Sequence, residues 1–156
     1  MTAPSRIAAF AVLASFAGSL PLLAADTLPW PWKGFSPADP ALALLYQADG
    51  VSASVSDADI LEISVEATAQ TPGFTEVQLV PRVGNPDDRL FAFDLRGRPP
   101  QDMTIQVLKP ISLDVAYADA PIDDVEVIEV YAQTNCKAFS LKDKKEVACT
   151  EMPRLE

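Results

Sequence analysis

The sequence predicts an all-β protein, an antiparallel β-sandwich of the immunoglobulin-like type with about seven strands. Three observations lead to this fold class. Short segments in which apolar and polar residues alternate recur at intervals of about 10 to 14 residues, and prolines and glycines stand between them. No long segment after residue 50 has the 3.6-residue apolar period of an amphipathic helix. A chain of 156 residues, 49% hydrophobic and 22% charged, has the composition of one globular domain.

The alternation is clearest in residues 59–70, where Leu61, Ile63 and Val65 share one face and polar residues occupy the other. This is the pattern of a half-buried strand. In residues 125–133 the apolar positions change phase, which a β-bulge or burial of both faces would explain. The other segments with a two-residue period are 74–83, 89–95, 103–107 and 111–118.

Residues 26–50 differ from the rest of the chain and predict an arm that precedes the sandwich domain of residues 51–156. The arm is rich in proline and holds both tryptophans, so its first half is expected to be extended. A short helix is expected after Asp39, which is a good N-cap. Pro40 suits the first helical position, and residues 41–47 have the propensity to continue the helix.

The first 25 residues predict a cleavable secretory signal peptide. One charge, Arg6, precedes an apolar stretch that ends in small residues. The alternative is a retained membrane anchor, since the stretch is about as long as a spanning helix. Cleavage after Ala25 leaves 156 minus 25, or 131, residues with 11 basic and 22 acidic side chains, a net charge of −11. We therefore expect a periplasmic or secreted protein with no membrane span after cleavage.

Cys136 and Cys149 are the only cysteines and are expected to form a structural disulfide in an exported protein. The charged stretch between them predicts a hairpin. Pairing residues whose numbers sum to 285 places the two cysteines opposite each other and Phe139 opposite Glu146. The stretch contains neither glycine nor asparagine, so a turn of more than two residues is expected.

The absence of histidine and the acidic charge exclude several functions. Without an imidazole the chain cannot form Ser-His-Asp or Cys-His catalytic groups, or a metal site built on histidine. The acidic charge opposes binding to nucleic acids and anionic membranes, because both need basic residues against phosphate. No G-x-S-x-G nucleophile motif occurs. We expect no enzyme activity.

Aspartates in the predicted loops define a candidate calcium site. Calcium is bound by six to eight oxygen ligands, which loops at one end of a sandwich can supply. The alternative is that these aspartates favour turns and keep an exported protein soluble. No other cofactor is expected. The candidate ligands are Asp87, Asp88, Asp119, Asp123 and Asp124.

Two other groups of residues are candidates for binding a macromolecule. Trp30, Trp32 and Phe35 lie in the proline-rich arm, where exposed aromatic side chains could stack on sugars or dock in a groove. Alternatively they fold back and cover one edge of the sandwich. Arg96 and Arg98 flank a glycine before two prolines and predict a rigid loop able to hold a carboxylate or phosphate. Otherwise these arginines pair with nearby acidic residues.

Together these observations favour a non-catalytic exported protein that binds another macromolecule, with another envelope or secreted protein as the expected partner. One alternative is a small secreted inhibitor of a hydrolase, which would insert loop 84–88 or 96–100 into an active site. The other is a calcium-dependent carbohydrate-binding module.

Overall fold

The computed structural model describes residues 26–33, 38–82 and 89–150, which form an all-β protein with two sheets. The all-β prediction is confirmed. The predicted signal peptide lies outside the described residues, and these contain no helix long and apolar enough to cross a membrane. A short 3-10 turn, Pro31–Lys33, follows the first strand. The strands are β1 (Leu28–Pro29), β2 (Ala43–Leu44), β3 (Gln47–Val55), β4 (Leu61–Ala69), β5 (Thr75–Pro81), β6 (Leu90–Arg98), β7 (Lys109–Ala118), β8 (Val127–Tyr131), β9 (Cys136–Ser140) and β10 (Lys145–Val147).

The first sheet has four strands in the order β1-β7-β4-β3. β3 and β4 form an antiparallel pair, and β4 pairs antiparallel with β7 without interruption from Leu61↔Tyr117 to Ala69↔Lys109. β1 pairs in parallel with the last two residues of β7. In β4 the odd-numbered residues are buried and the even-numbered ones point outward, which confirms the alternation predicted for this strand.

The second sheet is built around β6. β5 pairs with β6 from Phe93 to Arg98, and β8 pairs with it in parallel from Leu90 to Asp94. Because these stretches overlap, β5 and β8 lie on opposite edges of β6. β2 pairs with β6 beyond the end of β8, and β9 and β10 continue the sheet on the far side of β8.

One apolar core lies between the two sheets. Ile63 and Val65 of the first sheet and Phe93, Leu95 and Ile128 of the second are almost completely buried. Burial of each such side chain contributes about 1.5 to 3 kcal/mol. In β8 both faces are buried, so the second explanation of the phase change in residues 125–133 is confirmed.

The helix predicted after Asp39 is wrong. The Asp39 carboxylate accepts a hydrogen bond from the Ala41 N–H (2.9 Å), which lowers the pKa of Asp39, but only a turn follows. The chain then continues as β2 and β3, and the Leu45 N–H donates to the carbonyl of Leu95 in β6 (3.0 Å). Full burial of Leu45 in the core outweighs the small helix propensity of this segment.

Two other local predictions are wrong. Residues 96–98 do not form a loop but the end of β6. Gly97 serves a close approach there, since a Cβ atom would lie 3.1 Å from the Phe74 side chain and 3.3 Å from that of Leu45. Residues 103–107 do not form a strand, and residues 101–108 are all exposed.

The predicted C-terminal hairpin is confirmed in pairing and register. Phe139 of β9 lies opposite Glu146 of β10, and Cys136 is bonded to Cys149 with their Cα atoms 6.3 Å apart. Residues 141–144 connect the strands, so the turn is longer than two residues. A disulfide fits an oxidising, non-cytoplasmic compartment.

Removal of the disulfide is expected to lower the free energy of unfolding by about 3 kcal/mol. The bond restricts the unfolded chain, and this restriction is lost when the loop between the two cysteines is opened. Urea unfolding of the Cys136→Ser/Cys149→Ser variant and of the oxidised protein measures this difference. Reduced wild-type protein is the control and should match the variant. Equal unfolding midpoints for variant and oxidised protein would contradict the prediction.

Candidate functional site

Both tryptophans that the sequence suggests as binding residues pack against the core. Trp30 is only 3% exposed, and its ring centroid lies 5.0 Å from that of Phe91 and 5.5 Å from that of Tyr117, in edge-to-face geometry. Trp32 is half-buried, with its ring 5.2 Å from that of Trp30. The two tryptophans therefore fold back on the sheets, which is the alternative to exposed binding residues. Phe35 lies outside the described residues.

The two arginines that the sequence suggests as binding residues pair with carboxylates of their own chain. Arg96 Nη2 lies 2.9 Å from Asp94 Oδ2, and Arg98 Nη2 lies 2.9 Å from Glu76 Oε2 and 3.1 Å from Asp39 Oδ2. The hydrogen bonds of Arg98 to Glu76 and Asp39 raise its pKa. Asp39 and Glu76 are remote from Arg98 in sequence, so local spacing could not have identified them.

The predicted calcium ligands within the described residues lie in a loop. Asp123 and Asp124 line a hollow of about 290 Å³ together with Asp59. Asp59 and Asp119 have φ angles of 57° and 58°, as expected for aspartates in turns. The described part of the chain has no group of three or more His, Cys, Asp or Glu side chains placed to hold a metal ion. Asp87 and Asp88 lie outside it.

Glu129 is a buried acidic residue that sequence analysis missed. Its carboxylate accepts hydrogen bonds from the Thr150 N–H (2.6 Å), the Thr150 hydroxyl (3.0 Å) and the Tyr131 hydroxyl (2.7 Å). The disulfide at Cys149 keeps Thr150 beside it. The signal available in the sequence was the phase change in residues 125–133, which places Glu129 in a strand that is buried on both faces.

Arg82 and Asp94 form a buried ion pair close to Glu129. Arg82 Nη1 lies 3.0 Å from Asp94 Oδ1, and both side chains are almost inaccessible to solvent. The guanidinium carbon lies 3.7 Å from the ring centroid of Tyr131, the residue that donates to Glu129. Loss of one partner would leave a buried charge without compensation. These polar groups therefore hold the outer face of the second sheet together.

Four of the six exposed large apolar side chains of the described residues lie close together in one segment. Met103, Ile105, Val107 and Leu108 have exposed fractions of 106%, 75%, 51% and 58%. We call residues 101–108 the apolar arm. Large apolar side chains exposed close together are uncommon on monomeric proteins and indicate an interaction site. The apolar arm is therefore the candidate functional site.

The apolar arm leads directly into β7, and apolar residues recur at odd positions on both sides of the junction. Met103, Ile105 and Val107 have odd numbers, and so do the residues of β7 that face the core, whereas Leu108 and Lys109 interrupt the alternation. These core-facing residues are only half-buried, because part of the outer edge of β7 has no neighbouring strand in the described chain. The residues concerned are Ile111, Leu113 and Val115.

The outer edge of β7 presents backbone hydrogen-bonding groups. Pro110 lies opposite Thr68 in an uninterrupted ladder with β4. Because proline has no N–H, its nitrogen must point away from β4. Backbone groups of successive residues point to alternate sides, so the N–H and C=O of Ser112 and Asp114 also point outward. Among the described strands β1 alone pairs with this edge, beyond Asp114.

The opposite edge of the same sheet is closed by side chains. The Asn135 amide donates to the Ala48 carbonyl (2.7 Å) and accepts from the Ala48 N–H (2.8 Å), as a neighbouring strand would. Glu146 Oε1 accepts from the Val51 N–H at 3.4 Å. Such protection prevents unwanted strand pairing. The open edge of β7 thus contrasts with a protected edge on β3.

Two hollows adjoin the open edge. An apolar groove of about 370 Å³ lies between β5 and β7, beside β1. A smaller hollow of about 240 Å³ lies on the outer face of the first sheet between Glu62 and Asp114, where Ser64 and Ala116 contribute small side chains. An added strand on β7 would therefore meet an apolar surface on one side and carboxylates on the other.

Comparisons of this chain with models of protein families, curated proteins and solved structures found no match. The structure itself defines the class: an all-β protein with two sheets and a disulfide. Its function is argued from the apolar arm and the neighbouring edge, because a fold by itself does not determine function.

Substitution of Glu129→Gln is expected to lower the free energy of unfolding by about 1 to 3 kcal/mol, because the amide group would face donors in a buried site. Urea unfolding measures the loss. Glu126→Gln, in an exposed pair with Arg89, is the matched control and should change stability little. Equal losses in the two variants would contradict the role assigned to Glu129.

Burial raises the pKa of the Tyr117 phenol well above its ordinary value of 10.0. The folded state favours the protonated phenol, so its stabilising contribution is complete below about pH 10 and is lost as the pH rises above that value. A rise in pH above about 10 should therefore lower the free energy of unfolding less in Tyr117→Phe than in wild type. Tyr46→Phe, at a residue outside the buried core, is the control. Indistinguishable alkaline profiles for wild type and Tyr117→Phe would refute the prediction.

Proposed function

We propose that this chain is an exported, non-catalytic protein of immunoglobulin-like sandwich architecture that binds another protein in the periplasm or outside the cell. The observation that carries the proposal is the apolar arm, with Met103, Ile105, Val107 and Leu108 exposed. Transfer of such side chains from water into an interface favours association, by about 25 cal/mol for each Å² of apolar surface buried.

The placement of the charged residues supports binding rather than catalysis. Glu129 and Asp94 are buried, and their oxygens accept hydrogen bonds from the protein itself. A catalytic acid or base has to reach the proton that it transfers, which these carboxylates do not. Arg96 and Arg98 pair with acidic residues of the chain, although they remain partly accessible to a partner.

Export is supported by two independent features. The disulfide fits an oxidising compartment, and the first 25 residues have the charged, apolar and small-residue pattern of a signal peptide. The two sheets with a common core support a sandwich architecture. A hydrolase inhibitor is less well supported, because residues 96–98 of one proposed inhibitory loop belong to β6.

The proposal is tested by affinity capture from envelope extracts with crosslinking. We compare the wild type with Met103→Ser/Ile105→Ser, which should reduce recovery of the partner at least tenfold while leaving the unfolding midpoint unchanged, because both side chains lie in solvent. Val55→Ser, at an exposed apolar residue remote in sequence, is the matched control. If every captured protein is recovered equally with all three proteins, the apolar arm is not the binding site.

A further inference from the structure

We infer that the outer edge of β7 binds an extended segment of the partner protein as an added strand, and that this segment is apolar on one face and basic on the other. The inference rests on the proposed binding function and names the partner's chemistry. It is carried by the juxtaposition of outward backbone groups at Ser112 and Asp114, the apolar face of β7 and the carboxylates beside it.

The backbone of β7 supplies the first requirement. The N–H and C=O groups of Ser112 and Asp114 point away from β4, and no described strand pairs with them. The same edge already receives β1 at its end, in parallel pairing with Tyr117 and Ala118. An edge that accepts two residues of β1 has the geometry to accept a longer strand that continues on the same line.

The inner face of β7 selects apolar side chains. Ile111, Leu113 and Val115 are half-buried at the margin of the core, and Val115 also lines the apolar groove between β5 and β7. Side chains of an added strand alternate between the two faces of the sheet. Every second residue of the segment would therefore cover this margin, and apolar residues there would complete the core.

The outer face selects basic side chains. Glu62, Glu66 and Asp114 are exposed on it, and no ion pair with a described residue neutralises them. Because Ser64 and Ala116 are small, the hollow between Glu62 and Asp114 has room for the end of a lysine or arginine side chain. The intervening residues of the added strand would point to this side.

Charge also argues against a second copy of this chain as the occupant. The full chain has a net charge of −10, so two copies repel each other. The described β7 carries one basic residue, Lys109, at its start. A partner with basic residues in the added strand gains attraction from the same charges, and like-charge repulsion disfavours self-association.

The experiment measures binding of a synthetic peptide of about nine residues, in which lysine alternates with valine or isoleucine, to the full chain by isothermal titration calorimetry. A peptide of the same composition without alternation and one with glutamate for lysine are the controls. We expect the basic alternating peptide to bind at least tenfold more tightly than both controls, and its affinity to fall as salt rises. Equal binding of the acidic or the non-alternating peptide would overturn the inference.

Ser112 provides a matched pair of variants. Ser112→Pro removes the outward N–H and should weaken peptide binding about tenfold. No hydrogen bond to β4 is lost, because the N–H of Ser112 points away from that strand. Ser112→Ala keeps the N–H and loses only the hydroxyl that donates to Glu66 (2.8 Å), so it should bind within about twofold of wild type. Unchanged affinity of folded Ser112→Pro would refute strand addition.

Asp114→Lys is a second variant that does not depend on tolerance of proline, since this side chain is exposed. It should weaken binding of the basic peptide and strengthen binding of the acidic one. No change in this preference would overturn the assignment of a basic partner. A dimer in sedimentation experiments that Ser112→Pro disrupts would instead identify a second copy as the occupant and refute the inference.

The same variants separate this inference from the proposed function. If capture of an envelope protein depends on Met103 and Ile105 but not on Ser112, the chain is a binding protein and the strand-addition inference fails. If the peptide binds at Ser112 and Asp114 while no envelope protein is captured through the arm, the edge is functional and the proposed function fails in its stated form.

Discussion

The aromatic contact of Trp30 with both sheets is the interaction on which the rest of the structure depends. Its ring lies against Phe91 and Phe93 of β6 and against Tyr117 of β7, and so joins the second sheet to the first. Such edge-to-face contacts add about 0.5 to 1.5 kcal/mol each beyond the burial of area. Because the chain turns inward at Trp30, the parallel pairing of β1 with β7 ends at Ala118. The contact that closes the core therefore also sets where the pairing of β1 with β7 ends.

Elsewhere in the described chain, side chains cover the edge of β3 and part of the outer face of the second sheet. Asn135 pairs with the backbone of β3, and Thr150 binds Glu129 over the outer face of the second sheet. The disulfide couples these two closures, since Cys136 follows Asn135 and Cys149 precedes Thr150. The outer edge of β7 at Ser112 and Asp114 has no such protection from a described strand, which supports the binding proposed for it.

Local signals were enough to predict some of these features and not others. The register of the hairpin follows from the two cysteines and the charged stretch between them, and the alternation in β4 follows from a sheet with one solvated face. Gly97 was misread as a loop residue because its tight contacts come from Phe74 and Leu45, which are remote in sequence. The parallel pairing of β6 with β8, and with it the burial of Glu129, depends on strands far apart in the chain. Propensity could not show that burial of Leu45 would turn a predicted helix into strands.

The apolar arm is the most informative disagreement between the predicted and the observed strands. It has the alternation of a strand but pairs with no described strand. β4 ends at Ala69 opposite Lys109, so the described chain offers no strand beside the residues that precede Lys109. Apolar residues nevertheless recur at odd positions from Met103 to Val107 and again from Ile111 to Val115. Lys109 and Pro110 stand at the middle of this stretch, and both residue types are known to hinder pairing between long sheet edges. They precede the backbone groups of Ser112 and Asp114 at which the proposed strand would bind. The surface proposed to bind a peptide thus lies next to two residues that oppose pairing between long edges.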